Sequence, residues 1–311
     1  SVRAQYMLSV AQVFYGILSA QRFLEIALSD VERLTTYRDS VKEKLNVGNV
    51  TKTDLYRAEA ELSRAKADAV RSENAIFKAI ASLNNLVALE KEYLLEKRPP
   101  QGIEDYQCAL EDIEKTALAK RHEIKEAMKQ YEIAKQEVRY NKSDFWPTLS
   151  IEAGYKETDI DYRSGPVQIE YDTEDFYISG EISFTLFDGG LRSGTVQQSI
   201  AGLRKAKNAL ALEKKAVILD VRNAYYDYTS AKSSLVNLED ELTSAKETYD
   251  AVQMQLKYGM ADSLDAMDAN SLLVSAQRRI SDAQYVYYLS VLKILYAKGE
   301  LLDFLINQKV F

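Results

Sequence analysis

Cysteine and histidine each occur once in 311 residues, as Cys108 and His122. A disulfide within the chain is therefore excluded, and a zinc site of Cys and His nearly so. A Cys–His nucleophile pair could use only these two side chains. They lie 14 positions apart, about four helical turns, and would not meet on a helix. Proline is scarce as well, with 4 residues, and glycine numbers 12, so long uninterrupted elements are expected. Basic excess is absent: the net charge is −7, which argues against a nucleic-acid partner. No apolar run reaches the ~18 residues of a membrane-spanning helix, a lack that leaves open a membrane β-barrel, whose strands are shorter and alternate. What the chain does have is 46% hydrophobic and 28% charged residues, values of a folded protein.

The chain is internally duplicated. Shifted by 211 positions, Val10-Ala11-Gln12-Val13-Phe14-Tyr15 lies over Val221-Arg222-Asn223-Ala224-Tyr225-Tyr226. Without a gap, Leu45-Asn46-Val47-Gly48 then meets Leu256-Lys257-Tyr258-Gly259, and Asp54, Ala58, Leu62 and Ala65 meet Asp265, Ala269, Leu273 and Ala276. Generic helical similarity would not keep the glycine and the later aspartate in step. The part of the second copy over roughly 104–210 has no counterpart before Ser1, so about a hundred residues of a first copy are expected to be missing, either cut away or not included.

Both copies read as long helices. Val196, Leu203, Leu210, Val217, Ala224, Ala231, Leu238, Ala245 and Val252 fall seven apart. A companion row runs Ile200, Val221, Tyr228, Leu235, Leu242, Tyr249 and Leu256, broken by Lys207 and Lys214. This 3.5-residue period predicts left-handed supercoiling against neighbours. From Gly190 to Tyr258 such a helix would be roughly 100 Å long. Each long helix should end at a glycine, Gly48 or Gly259. A return helix should begin near Thr53 or Ser263, making an antiparallel hairpin with a tight tip.

Between the copies, Glu96 to Gly102 has linker composition, and helical pattern over 104–146 stops at Trp146-Pro147. The period then becomes two. Leu149, Ile151, Ala153 and Tyr155 share one face of a strand; Phe176, Ile178, Ile182, Phe184 and Leu186 share one face of a second, with Gly180 among them. Each is read as 10–12 residues, enough for a tilted strand to cross a bilayer, with an acidic loop from Thr158 to Glu174 between them. Two strands alone cannot bury that face, so strands from other copies are required.

Several segments, in order, resemble the TolC-type outer-membrane efflux family. They are Lys120-Arg121-His122-Glu123-Ile124, Phe145-Trp146-Pro147-Thr148-Leu149-Ser150, Phe184-Thr185-Leu186-Phe187-Asp188-Gly189-Gly190, Tyr258-Gly259 and Leu264-Asp265-Ala266-Met267-Asp268-Ala269. The resemblance covers essentially the whole chain. It implies a mainly α fold with one strand pair: residues 1–95 a first helical hairpin, 96–103 a linker, 104–146 a helix, 147–187 the barrel strands and 188–311 the second long hairpin. It implies a homotrimer in the bacterial outer membrane whose helices form a tunnel across the periplasm. Such a duct would work without a cofactor or catalysis, with a periplasmic adaptor and an inner-membrane transporter as partners, in efflux or type I secretion. Members of the family carry two strand pairs and build twelve strands; three copies of this chain supply six, so either the first pair is lost or the barrel is incomplete.

By motif position the resemblance makes Asp265 and Asp268 the rings of a constriction. In a trimer two such carboxylates ~6 Å apart repel by roughly 0.7 kcal/mol in water, and more at lower dielectric; raised pKa values, attraction for cations and a barrier to anions would follow. The competing reading is helix capping. The first tip has Asp54 and, where the second has Asp268, Arg57. Asp54 or Arg57 is expected to bond to the neighbouring tip and hold a closed state. Family members often have an arginine where Ala261 stands, so the latch must differ here.

Other features read as structural. His122 packs or caps, Cys108 is a small buried side chain, and the many tyrosines pack between helices. Gly189-Gly190-Leu191-Arg192-Ser193-Gly194 superficially resembles a phosphate loop but lacks its Lys-Ser/Thr, and its place at a strand–helix bend explains the glycines. Asp159 and Asp161 could hold Ca²⁺ only weakly. The alternative from another class is a soluble coiled-coil scaffold or adaptor-like hairpin protein; it accounts for the heptads but not for the two strands.

Overall fold

The computed structural model describes residues 2–88, 106, 107, 109–164 and 166–307. The 96–103 linker and Cys108 lie outside the described residues. The chain divides into two units: Ser1–Glu123 with Lys214–Phe311, and Ile124–Glu213. No described helix is long and apolar enough to cross a membrane.

The first unit is built from helical hairpins. Helix α1 (Val2–Asn46) runs back as α2 (Lys52–Val87). Leu34, Leu62 and Ala65 pack between them with Val31 at the edge. Ala58, Leu62 and Ala65 are the residues paired by the duplication with Ala269, Leu273 and Ala276, and all six are buried. The long helix, α5 (Leu191–Lys257), continues in this unit from residue 214 and turns into α6 (Ser263–Lys298). Of its heptad rows, Val217, Ala224, Ala231 and Ala245, with Val221 and Tyr228, are buried here. Tyr228 stacks on Tyr287 of α6 at 5.8 Å, and Arg279 of α6 donates to Glu241 of α5. Aromatic rings continue onto α1, where Tyr15 lies 6.2 Å from Tyr285 and 5.9 Å from Tyr288. Its hydroxyl is buried without a hydrogen-bond partner.

Two helix breaks correct the sequence reading. The helix expected over 104–146 is two, α3 (Leu110–Lys120) and α4 (His122–Ser143), parted at Arg121, whose ψ of 132° is extended. The second hairpin does not run on to its end either: α6 stops at left-handed Gly299 and a short α7 (Leu301–Asn307) follows. The breaks face each other, since a Cβ on Gly299 would stand 3.5 Å from backbone atoms of Lys120 and Arg121. Arg121 is buried there. Its guanidinium donates to Glu123 at 3.0 Å, to Asp220 at 3.4 Å and to the Ala297 carbonyl at 3.4 Å, and lies over the Tyr296 ring. Burial would raise the Glu300 carboxyl, but hydrogen bonds from Lys120 and Lys298 outweigh it and hold it below the ordinary glutamate range. Heptad reading passes over such breaks because both flanking segments keep the apolar period.

In the second unit, α4 leads to strand β1 (Thr148–Ser164), which pairs antiparallel with β2 (Val167–Ser183). The strands are 17 residues each, not 10–12. The segment expected as a loop is paired, with Glu157 opposite Glu174 and Thr158 opposite Thr173. Past Thr158 the apolar alternation shifts from odd to even positions, with Ile160 opposite Tyr171 and Tyr162 opposite Ile169, so a pattern followed along one face ends before the ladder does. Phe184 and Leu186, expected in the strand, lie past its end. The apolar face is in register: Leu149 opposes Ile182, Ala153 opposes Ile178 and Tyr155 opposes Phe176. It is also open, with Ile151 77%, Ile178 80% and Phe176 85% exposed. On the other face the Tyr177 ring covers Gly154, where a Cβ would approach it to 2.7 Å, and its hydroxyl donates to Glu152.

At the entry to α5, Asp188 accepts from the N–H groups of Gly190 and Arg192 and from the Arg192 side chain at 2.7 Å. These N–H groups are the ones a phosphate would have needed, so the glycines there serve a helix cap. Both Gly189 and Gly190 have positive φ.

Replacing Ile294, fully buried in α6, with Ala should destabilise the first unit by about 2–5 kcal/mol. The same change at exposed Ile151 should leave the thermal unfolding midpoint of that unit in place. Equal midpoints for the two variants, followed by circular dichroism at 222 nm, would contradict the assignment of the core.

Candidate gate at the helical tips

Each tip is a helix stop, a short turn and a helix start, and duplication has kept all three. Gly48 and Gly259 take φ of 77° and 74°. Asn49 N–H bonds back to Lys44 and Met260 N–H to Gln255, six-residue closures that satisfy the last carbonyls of α1 and α5. A side chain with a Cβ would be strained at either glycine.

The helix starts also correspond. Thr51 caps α2, its hydroxyl accepting from Asp54 N–H, while the Asp54 carboxylate accepts from Thr51 N–H at 2.9 Å. Asp262, the equivalent of Thr51, caps α6: its carboxylate accepts from the N–H groups of Leu264 and Asp265 at 2.7 and 3.0 Å. In return Asp265 accepts from Asp262 N–H at 3.0 Å. Asp54 and Asp265 are thus the third residues of two capping boxes. The backbone and hydroxyl hydrogen bonds from Thr51 hold the Asp54 carboxyl below the ordinary aspartate range, with a smaller contribution from Arg57.

Asp265 and Asp268 lie one turn apart on α6 and are both exposed. Asp265 is committed to its own helix start, whereas Asp268 lies beyond the box. In the first tip Arg57 is exposed and Asp54 bonds within its own turn. The bonds between the two hairpins near the tips come from residues to which the sequence reading gave no such role. Tyr37 of α1 shares a hydrogen bond with the Ser263 hydroxyl at 2.6 Å. Nearby, Arg33 donates to Asn270 and Asn270 to Asp30. Ala261 stands at the start of this turn with no side-chain polar group to bond. The two capping boxes were detectable as a Thr/Asp followed three residues later by Asp at matching positions of both copies. The cross-links of Tyr37 and Asn270 had no such signal, because they join residues more than two hundred positions apart.

A polar groove of about 280 Å³ opens among α1, α2 and α6. Glu61, Arg64, Asp68, Arg278 and Arg279 line it, and Arg278 faces Asp68 at 3.7 Å. Among the described residues no group of His, Cys, Asp or Glu is arranged to hold a metal ion.

Comparison with known proteins fits this architecture. The sequence pattern of the family described as outer membrane efflux protein matches residues 114–300. The chain is 23% identical over 310 residues to outer membrane protein TolC of Escherichia coli K12, covering 95% of this chain and 61% of that protein. It is also 23% identical to the alkaline protease secretion protein AprF of Pseudomonas aeruginosa, over 96% of this chain and 62% of the relative. The chain therefore spans about three fifths of the length of these relatives. Among solved structures, CusC superposes with a TM-score of 0.80 at 14% identity, over 96% of this chain and 69% of that one. The MtrE outer membrane channel of Neisseria gonorrhoeae, solved in its open state, gives 0.76 at 18%, over 96% and 67%. At these identities the structures speak for the fold.

The lowered Asp54 carboxyl gives the first tip a defined pH response. Its capping contribution is complete above the unfolded aspartate value, about 3.9, and is lost as pH falls through the lower folded value. Hydrogen-exchange protection of the Thr51 amide should hold from neutral pH down to about pH 4 and then fall. Asp54→Asn should remove that acid step; protection that declines alike in both proteins would show that Asp54 is not the titrating group.

Proposed function

Because the chain belongs to the outer membrane efflux protein family, we propose that it is part of an outer-membrane exit duct, a passive conduit that serves an efflux pump or a type I secretion system. The observation that carries this reading is the pairing of two features in one chain. One is a β-ribbon whose in-register apolar face stays open to solvent. The other is a duplicated helical hairpin with conserved tip geometry. Strands of 17 residues exceed the ~9–11 that a tilted strand needs to cross a bilayer. An open apolar face on a two-stranded ribbon is unstable in water and calls for lipid on one side and further strands at its edges. A soluble scaffold has no use for it.

In this reading the chain is an outer-membrane protein that assembles as a homotrimer. Its ribbons join a barrel and its helices extend into the periplasm. The tips meet a periplasmic adaptor, which couples the duct to an inner-membrane transporter; the charged groove between α2 and α6 suits a charged helical hairpin from that adaptor. No step of the transport is catalytic. Substrates move down a path that the tips open and close.

The gate is assigned to Asp265 and Asp268. Brought round a three-fold axis, their carboxylates give rings of negative charge that admit cations, bind divalent ions and oppose anions. Asp265 has a second duty as the third residue of a capping box, so its replacement by Ala would mix loss of charge with loss of its hydrogen bond to the Asp262 N–H. Asn keeps an acceptor for Asp262 N–H and removes only the charge.

The Asp265→Asn/Asp268→Asn double variant, as the full protein in planar bilayers, should pass more current and lose most of its block by millimolar divalent cations. Wild-type block in the double variant would sink the gate assignment. The duct itself is tested separately: the protein should need detergent for extraction and run as a trimer in it, and a chain that stays in the aqueous fraction as a monomer would overturn the proposal.

A further inference from the structure

The seam between α1 and α6 holds a polar cross-link that the apolar period does not require. Asn270 is 8% exposed on α6, in line with buried Ala266, Leu273 and Ala276. Its amide nitrogen donates to the Asp30 carboxylate at 2.7 Å, and its carbonyl oxygen accepts from Arg33 Nε at 3.1 Å. Arg33 also reaches Asp30 at 3.5 Å and donates to the Ser29 hydroxyl at 3.0 Å. All four residues are thereby joined across two helices that belong to different hairpins.

We propose that the Asp30–Arg33–Asn270 cross-link is a register pin, which selects one axial alignment of α1 against α6 among several that the apolar side chains would accept.

The need for a pin follows from the heptad pattern. On α1, Ala27, Leu34 and Val41 repeat every seven residues; on α6, Ala266, Leu273 and Ile280 do the same. Sliding one helix by a heptad sets small or branched apolar side chains against others like them, so hydrophobic packing separates the alignments poorly. A buried asparagine does separate them: a heptad slip one way sets its amide against Phe23 and Ile26, where it stays unbonded, and a slip the other way sets it against Tyr37 and Ser40, where the carboxylate and guanidinium partners are lost. The observed contacts describe a single alignment. Moving back along α1 from Tyr37 through Arg33 to Tyr15 moves forward along α6 from Ser263 through Asn270 to Tyr285 and Tyr288, in equal steps to within one turn. A cross-link of this kind contributes specificity more than stability, since apolar residues of similar volume often replace buried polar groups without loss.

The test separates alignment from stability. Spin labels at exposed Thr36 of α1 and Leu272 of α6 report the axial offset by double electron–electron resonance, in full-length protein carrying Cys108→Ser and diluted into unlabelled chains. The unaltered seam should give one narrow distance. Asn270→Leu should add a second population, displaced along the axis by about 5 Å for a one-turn slip or about 10 Å for a heptad slip, with helix content kept and the unfolding midpoint not lowered. Asp30→Asn with Asn270→Asp, which reverses the pair and keeps its bonds to Arg33, should return the single distance. A single unshifted distance in Asn270→Leu overturns the proposal. So does loss of helix content in that variant, which would make the network a stabilising contact, and so does a broad distribution in the reversed pair.

Discussion

A helix as long as α5 cannot bury its own apolar stripe, and this requirement shapes everything around it. Its 67 residues repeat small and branched side chains at sevenfold spacing, which commits α5 to lie along partners rather than fold into a compact core. The return helix α6 covers one flank, and α6 in turn lies along α1, so the duplicated hairpins are held side to side. The alanines on these rows, Ala224, Ala231 and Ala245 on α5 and Ala269 and Ala276 on α6, let the backbones approach closely. Tyrosines pack along the seam, with Tyr15 against Tyr285 and Tyr288.

Long helices need defined ends, and the ends here are made by backbone geometry and carboxylates. Gly48, Gly259 and Gly299 each take the left-handed conformation and close a six-residue turn. Asp54, Asp188 and Asp265 each accept a main-chain N–H at the start of a helix. The same chemistry serves structure and proposed function at the second tip. A residue that caps a helix must sit at its exposed end, which is where the proposed trimer would bring charge to its axis. Capping and gating are therefore compatible duties for Asp265, while Asp268, one turn further on, has charge to offer and no cap to make.

The ribbon follows a different constraint. Its apolar residues alternate in register over the four pairs from Leu149–Ile182 to Tyr155–Phe176, and then acidic residues take the same face at Glu157–Glu174 and Asp159–Asp172. The face thus changes from one suited to hydrocarbon to one suited to water along a single ladder. Like charges directly opposite each other weaken a strand pair, and beyond them the ladder continues through the pairs Ile160–Tyr171 and Tyr162–Ile169.

The sequence by itself determined the duplication, the heptad helices, the glycine stops and the two-period ribbon, because each is a local pattern in which side-chain spacing dictates backbone conformation. It also located the tip aspartates. Tertiary structure decided the rest. The break at Arg121 depends on partners in α5 and α6 that a local pattern does not contain. The full strand length depends on a pairing that continues after the first apolar face has ended. The role of Asp265 in a cap depends on the conformation of Asp262, and the Asn270 cross-link on the alignment of two helices far apart in the chain. Periodic packing tells each helix which face to bury but hardly where along a neighbour to stop, and directional polar bonds supply that second piece of information only once the chain has folded.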